Sequence, residues 1–310
     1  MGPVAPFTIR GLRPRRGPAD EPFCYRTNNM LEEAKRILIV DDDRDVHQLL
    51  VAAIKSPDRV IDSAYDGLEG LQFIEAARYD LVLTDVNMPK LDGMALLERI
   101  RSIRPGTKVL VMTVANTPEN VIRAIREQAF TYFSKPFTLN AVEDMVGRAL
   151  AGSTDEHDIE VLSARPNWLE LRLSCQLETA DRILQFLREM RTNLPPGDEE
   201  NIATAFREIL FNAIEHGGGS DPEKTVLITY VRAEKAILYH VRDPGKGFSF
   251  EELPHAAVSN PHDSPLAHAR VRERLGLRPG GFGIFMTREM VDELIYNEAG
   301  NEALLIKYLP

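Results

Sequence analysis

From Arg36 the chain alternates short apolar runs with amphipathic stretches: RILIV, DVHQLLVAAI, VIDSA, LEGLQFIEAA, LVLTD, MALLERIRSI, KVLVMT, ENVIRAIREQ, TYFSK and LNAVEDMVGRAL. Runs that are apolar throughout suit strands buried on both faces, and spacings of three and four mark helices, so the pattern reads as βα repeated five times. It predicts an α/β domain over residues 35–150, a doubly wound sheet of five parallel strands. The stretch AGSTDEHDIEVLSARP mixes small, acidic and helix-breaking residues with little apolar periodicity, which places a linker at 151–165. A second pattern fills 166–310. It begins with the strand-like WLELRLSC, the helical LETADRILQFLREMRTNL, a turn at Pro195 and Pro196, and the helix DEENIATAFREILFNAIEHG. A hairpin of TVLITYV and AILYHVR follows, then a long polar loop, a helical IFMTREMVDELIY and a last strand, ALLIKYL.

In a parallel sheet the functional site lies beyond the carboxyl ends of the strands. The residues there are Asp41 and Asp42 after the first strand, Asp85 after the third, Thr113 after the fourth and Lys135 after the fifth. Carboxylates gathered in one pocket repel, and a hard divalent cation with oxygen ligands, Mg2+ above all, relieves the repulsion. One carboxylate can then attack a phosphoryl group to form an acyl phosphate, with Lys135 offsetting its charge and Thr113 donating a hydrogen bond. At VDDD, LTDVNMPKLDG, VMT and YFSKPF the stretch 35–152 resembles the receiver domain of bacterial response regulators, a flavodoxin-like fold. The resemblance implies that Asp85 is the phosphoacceptor and that Asp42 and Asp85 ligate Mg2+ with the Asn87 carbonyl, Asp41 helping through water. It further implies that Tyr132 is the switch aromatic and that the Lys135–Pro136 bond is cis. Val114 stands where this family usually has Ala or Gly, which is expected to narrow access to the phosphoryl group and slow its arrival and loss.

In the second half, Glu208 and Asn212 lie four apart on one helix and so share a face. Asp243 ends a strand and can accept from an exocyclic amino group, while Gly245 and Gly247 let backbone pass close under a flat ring. Gly280, Gly281 and Gly283 precede a helix, where exposed N–H groups bind phosphate. Asn212 offers an amide oxygen to a metal, and Glu208 can orient or deprotonate an attacking hydroxyl. His216 reads as packing or capping its helix end, and His255, His262 and His268 as solvated loop residues. Together E-x-x-x-N, D-x-G-x-G and G-G-F-G resemble the GHKL ATPases, the superfamily of gyrase, Hsp90 and histidine kinases, and within it the anti-sigma-factor serine kinases. The resemblance implies a two-layer α/β domain that binds ATP and Mg2+. Asn212 is then the metal ligand, Glu208 the catalytic base, Asp243 the adenine reader, and the loop glycines hold the triphosphate. Glu302 departs from a Gly-Thr pair that many relatives carry near the phosphates, which bears on turnover more than on binding.

Composition narrows the class. With 44% apolar and 27% charged residues over 310 positions, the chain suits two globular domains. No apolar run is long enough to cross a bilayer. Cys24 and Cys175 offer neither a disulfide framework nor a CxxC metal site, which fits a cytoplasmic location. A net charge of −10 argues against direct nucleic-acid binding. The first 34 residues, arginines set among prolines and glycines, are expected to form a disordered extension. No helical hairpin bearing a phosphorylatable histidine precedes the ATP site, so a histidine kinase is not expected. The reading is a two-component response regulator whose output is a serine/threonine kinase of anti-sigma type. Its expected partners are an upstream sensor histidine kinase or phosphotransfer protein, an anti-sigma antagonist of STAS type, a sigma factor and a second copy of itself. The alternative is a switched module that binds ATP and sequesters a partner without turnover.

Overall fold

In the computed structural model, residues 34–114, 117–151, 158–190, 194–249, 267–274 and 282–310 are described. The expected disordered extension therefore falls outside the described residues, apart from its last position. Five strands, β1 (Lys35–Val40), β2 (Arg59–Ala64), β3 (Leu81–Asp85), β4 (Lys108–Thr113) and β5 (Thr131–Ser134), form one sheet in the order β2-β1-β3-β4-β5. Every pairing in it is parallel. The helices between are α1 (Arg44–Ile54), α2 (Gly67–Ala76), α3 (Gly93–Ile103), α4 (Pro118–Arg126) and α5 (Leu139–Ala151). Strands β3 and β4 are buried at every position, as a sheet covered on both faces requires. Alternate residues feed two separate cores: Ile39, Leu83 and Met112 pack with α1 and α5, and Val40, Val82 and Val111 with α2, α3 and α4.

Helix starts follow from short polar side chains. Asp43, Asp66, Asp92 and Thr117 each accept from backbone N–H groups in the first turn of α1, α2, α3 and α4. The Lys135–Pro136 bond is cis, as the resemblance implies.

The second sheet is antiparallel, ordered β10-β11-β9-β8-β7-β6. Its strands are β6 (Ile159–Arg165), β7 (Trp168–Ser174), β8 (Thr225–Arg232), β9 (Ala236–Arg242), β10 (Glu293–Tyr296) and β11 (Glu302–Tyr308). One face is lined by Leu169, Leu171, Ile228, Tyr239, Val241 and Leu305, packed with buried residues of α6 (Leu177–Arg188) and α7 (Pro196–Asn212). Tyr239 stacks on Phe206 of α7 with centroids 4.4 Å apart. The strict in-out alternation of β8 and β9 is that of a sheet with one buried face.

Three departures from the sequence reading have local causes. The stretch expected to be a linker contributes β6, hidden because a register shift between Val161 and Ser163 breaks its alternation. The helix expected to run from Ile284 to Tyr296 ends at Met290 in α9 (Gly283–Met290). Residues Glu293–Tyr296 instead pair with β11, where an antiparallel partner overrides the helical spacing. The expected polar loop also holds α8 (Ala267–Arg274). No described helix is long and apolar enough to cross a membrane.

Candidate functional sites

Strand order places the ends of β1, β3, β4 and β5 side by side. Asp41 follows β1 and is fully buried, Asp85 closes β3 at 4% exposure, and Thr113 closes β4 fully buried. Lys135, just past β5, puts its Nζ 2.6 Å from Asp41 Oδ2 and 2.8 Å from Asp85 Oδ1. Burial works against the lysine's charge, but the two carboxylates outweigh it and hold its pKa above the usual lysine value. Asp85 is pushed up by burial, with Lys135 opposing and Asp41 adding to the rise. The Asn87 N–H donates to Asp85 Oδ2 at 2.7 Å and the Asp43 N–H to Asp41 Oδ1 at 3.0 Å, fixing both carboxylates from neighbouring backbone.

Asp42 is exposed and lines an open groove with Val86, Asn87, Asn120 and Arg123. Among the described residues no three His, Cys, Asp or Glu side chains converge to hold a metal unaided. Mg2+ needs only one or two carboxylates and keeps several waters, so the oxygen donors that Asp42, Asp85 and the Asn87 carbonyl offer are of the kind it takes. Tyr132 is fully buried, its hydroxyl beside Thr113 and its pKa raised by burial first and by Glu189 next. Val114, expected to narrow the approach, is 69% exposed.

Supporting groups here escaped the sequence reading. His47 in α1 is buried, with Nε2 2.7 Å from the Asp41 carbonyl oxygen and Nδ1 3.2 Å from Ser63 Oγ. Nε2–H therefore donates to that carbonyl, and Nδ1 accepts from the hydroxyl. A Cβ on Gly93 would lie 1.9 Å from the Asp85 carbonyl oxygen, so only glycine lets α3 start so close to the site. Lys90 adopts a φ of 68° and its Nζ binds Asp66, tying the loop after β3 to the start of α2. Gly93 lies inside a motif already singled out. His47 carried no signal beyond a polar position on a helix.

The second site is a cavity of about 550 Å3 between α7, the ends of β9 and β11, and the start of α9. Glu208, Asn212, Asp243, Gly245, Gly247 and Gly283 all line it. Asp243 follows β9, and its Oδ1 accepts from the Gly245 N–H at 2.7 Å. Burial raises its pKa, with that hydrogen bond opposing. Gly217 packs directly on this carboxyl, where an added Cβ would come within 2.3 Å. Gly247 has a φ of 78° and meets the Ala299 carbonyl oxygen, so close backbone approach shapes the floor. This glycine cradle around a half-buried carboxylate fits a flat heteroaromatic ring with an exocyclic amino group.

Glu208 touches Gly283, the first residue of α9, where an added Cβ would lie 1.9 Å from Oε1. Gly280 and Gly281 lie outside the described residues, as do His255 and His262 and the side chain of His268. His216, expected to pack or cap, is exposed and lines the cavity, because α7 runs into a π turn at Ala213–Gly217 that re-aims its last residues. Glu302 lines the cavity too, but its carboxylate is engaged by His240 Nε2 at 3.2 Å and Arg242 Nε at 3.4 Å.

Two pockets of this kind, one at the carboxyl ends of a parallel sheet and one under a helix start on an antiparallel sheet, define two classes of domain. Residues 37–147 match the response regulator receiver domain, and residues 173–307 match the histidine kinase-like ATPase domain. The chain thus joins a receiver domain to a histidine-kinase-like ATPase domain. Among curated proteins it is 33% identical over 121 residues to the DNA-binding transcriptional regulator NtrC of Azospirillum brasilense, covering 39% of this chain and 25% of that protein. It is 34% identical over 116 residues to the response regulator MprA of Mycobacterium ulcerans (strain Agy99), covering 37% of this chain and 49% of that one. The chain thus spans less than half the length of either relative. Among solved structures it is similar to the receiver domain of the Francisella response regulator 1452, at 28% identity and a TM-score of 0.36 over 37% of this chain and 96% of that one.

Proposed function

We propose that this chain is a phosphorylation-controlled serine/threonine protein kinase of anti-sigma type. Asp85 accepts a phosphoryl group from an upstream histidine kinase or phosphotransfer protein, and ATP in the second cavity phosphorylates an anti-sigma antagonist. The observation that carries the reading is the convergence of Glu208, Asn212 and Asp243 on one cavity. A base, a metal-ligating amide and an adenine acceptor are the set that nucleotide-dependent phosphotransfer needs.

At the first site the chain's own groups do most of the work. Asp85 is held by the Asn87 N–H with one oxygen toward Lys135, whose ammonium offsets charge on the incoming group. Mg2+ held by Asp42, Asp85 and the Asn87 carbonyl, with Asp41 assisting, would supply charge screening for the phosphoryl oxygens. At the second site Asp243 orients the base, Asn212 offers an oxygen to a metal, and Glu208 takes the proton from the attacking hydroxyl.

One observation favours a second reading, a partner-sequestering module without turnover. Glu302, which stands where many relatives carry a Gly-Thr pair, lines the cavity with its carboxylate engaged by His240 and Arg242, a departure that bears on turnover more than on binding. Transfer from γ-labelled ATP into proteins of the source-cell lysate separates the two readings. The kinase reading expects one small protein to gain acid-stable label with wild type and not with Glu208→Ala. If ATP binds and nothing is labelled, the sequestering reading replaces it.

A further inference from the structure

Elements of the receiver domain meet the ATPase domain along β5, α4 and α5. Arg182, at the middle of α6, donates from Nε to the Phe130 carbonyl oxygen at 3.3 Å and holds its guanidinium 5.1 Å from the Phe130 ring centroid. Asp158, just before β6, lies 3.9 Å from Arg182 Nη1, and both side chains are more than four-fifths buried. Around this centre Gln185 Nε2 contacts Met145 Sδ of α5 at 3.0 Å, and Arg126 of α4 donates to the Ala164 carbonyl oxygen of β6 at 3.3 Å.

The contact is neither incidental nor symmetric. The receiver core on the α4 side, which includes Tyr132, continues without a break into the core of the ATPase domain, whereas the core under α1 and α5 stays separate. The α6 helix touches β5 on one side and α7 on the other. β5 carries Tyr132 beside Thr113 and leads to Lys135, and α7 carries Glu208 and Asn212. The two candidate sites are therefore joined through β5, α6 and α7 in direct contact. A guanidinium withdrawn from water is costly unless its partners stay in place, so a shift of β5 or of the Phe130 carbonyl changes how well α6 is seated. Closely packed elements pass on such shifts because they have discrete arrangements rather than continuous give.

We propose that the Arg182 junction is the coupling element between the two sites, so that the state of Asp85 sets nucleotide affinity at the α7 cavity and the nucleotide sets phosphoryl affinity at Asp85. The proposal rests on the reading of those two sites given above and adds the route between them. Coupling of this kind is reciprocal: the two ligands change each other's affinity by the same factor, typically about 5- to 150-fold.

The test is calorimetric titration of the full chain in Mg2+ buffer with a non-hydrolysable ATP analogue, with and without beryllofluoride, and the converse titration. The expected result is a change of about 5-fold or more in each affinity, equal in both directions. Arg182→Gln is expected to bring that factor to one while each ligand alone binds as in wild type. Gln185→Leu, which keeps the guanidinium in place, serves as a second variant if Arg182→Gln does not fold, and is expected to reduce the factor. Both ligands binding to wild type with no mutual effect would overturn the proposal, as would a coupling factor that both variants leave unchanged. Failure of either ligand to bind wild type would remove the reading of that site and the coupling with it.

Discussion

Gly247 and Gly219 form a matched pair that tests the floor of the nucleotide cavity. Both have positive φ, 78° and 69°, in the left-handed region where a residue with a Cβ costs about 1–2 kcal/mol. They differ in their surroundings. A Cβ on Gly219 meets nothing within 4 Å, whereas one on Gly247 would lie 1.8 Å from the Ala299 carbonyl oxygen and 2.9 Å from the Asn301 amide nitrogen. Ala299 cannot retreat freely. Gly300, next to it, has a φ of 75° and is pressed against Phe248, and the Asp243 N–H donates to the Asn301 carbonyl oxygen at 3.0 Å. Gly219→Ala is thus expected to cost about 1–2 kcal/mol. Gly247→Ala bears the same penalty plus backbone strain of about 1–3 kcal/mol, for a total of about 2–5 kcal/mol. Denaturant unfolding followed by Trp168, the chain's single tryptophan and a residue of β7 in the same domain, reads both variants against wild type. Because the strain falls on the loop that carries Asp243, Gly247→Ala is also expected to lower nucleotide affinity by about tenfold or more, a loss of about 1.4 kcal/mol. Equal midpoint shifts for the two variants would refute the close packing of the loop against Ala299 and, with it, the account of the cavity floor.

Other expectations follow from the first site and from the helix caps. Burial raises the Asp85 carboxyl, so in metal-free buffer its side-chain carbon should titrate above the usual carboxylate range by NMR. Lys135→Met removes the opposing ammonium and should move that midpoint further up, whereas a fall would contradict the ion pair. Asp66 accepts from the Leu68 and Glu69 N–H groups and pairs with Lys90, so Asp66→Ala should cost about 1 kcal/mol in unfolding free energy. The bond to Lys90 lowers the folded pKa of Asp66, so its contribution is present above the unfolded value and is lost as pH falls through the folded one. An Asp66→Ala deficit that persists unchanged at that acid limit would count against this assignment.

The receiver half was legible because its strands are short, apolar throughout and bounded by acidic turn residues, so register and strand ends coincide with visible changes in the pattern. Asp41, Asp85, Thr113 and Lys135 meet because strand ends meet, a consequence of topology that local spacing already contains. His47 was not legible. Its partners are the Asp41 carbonyl and Ser63, and the second lies across the sheet in β2. In the ATPase half the hairpin of β8 and β9 was plain from alternation, but β6 was concealed by its irregular register and β10 by a helix-like spacing that pairing with β11 overrides. The exposure of His216 depends on a π turn, which one extra residue per turn creates without a compositional mark. The Arg182 junction joins residues 52 positions apart, and nothing near Arg182 in sequence points to Phe130.

The function proposed for the second cavity is a nucleotide site read by Asp243. Calorimetric titration of the full chain with ATP in Mg2+ buffer, against Asp243→Asn, tests it directly. Wild type is expected to bind one nucleotide, and the variant, which keeps the shape and loses the charged acceptor, to bind about 10- to 100-fold more weakly, the usual worth of a hydrogen bond to a charged group. Undiminished binding by Asp243→Asn, or no binding by wild type, would contradict it.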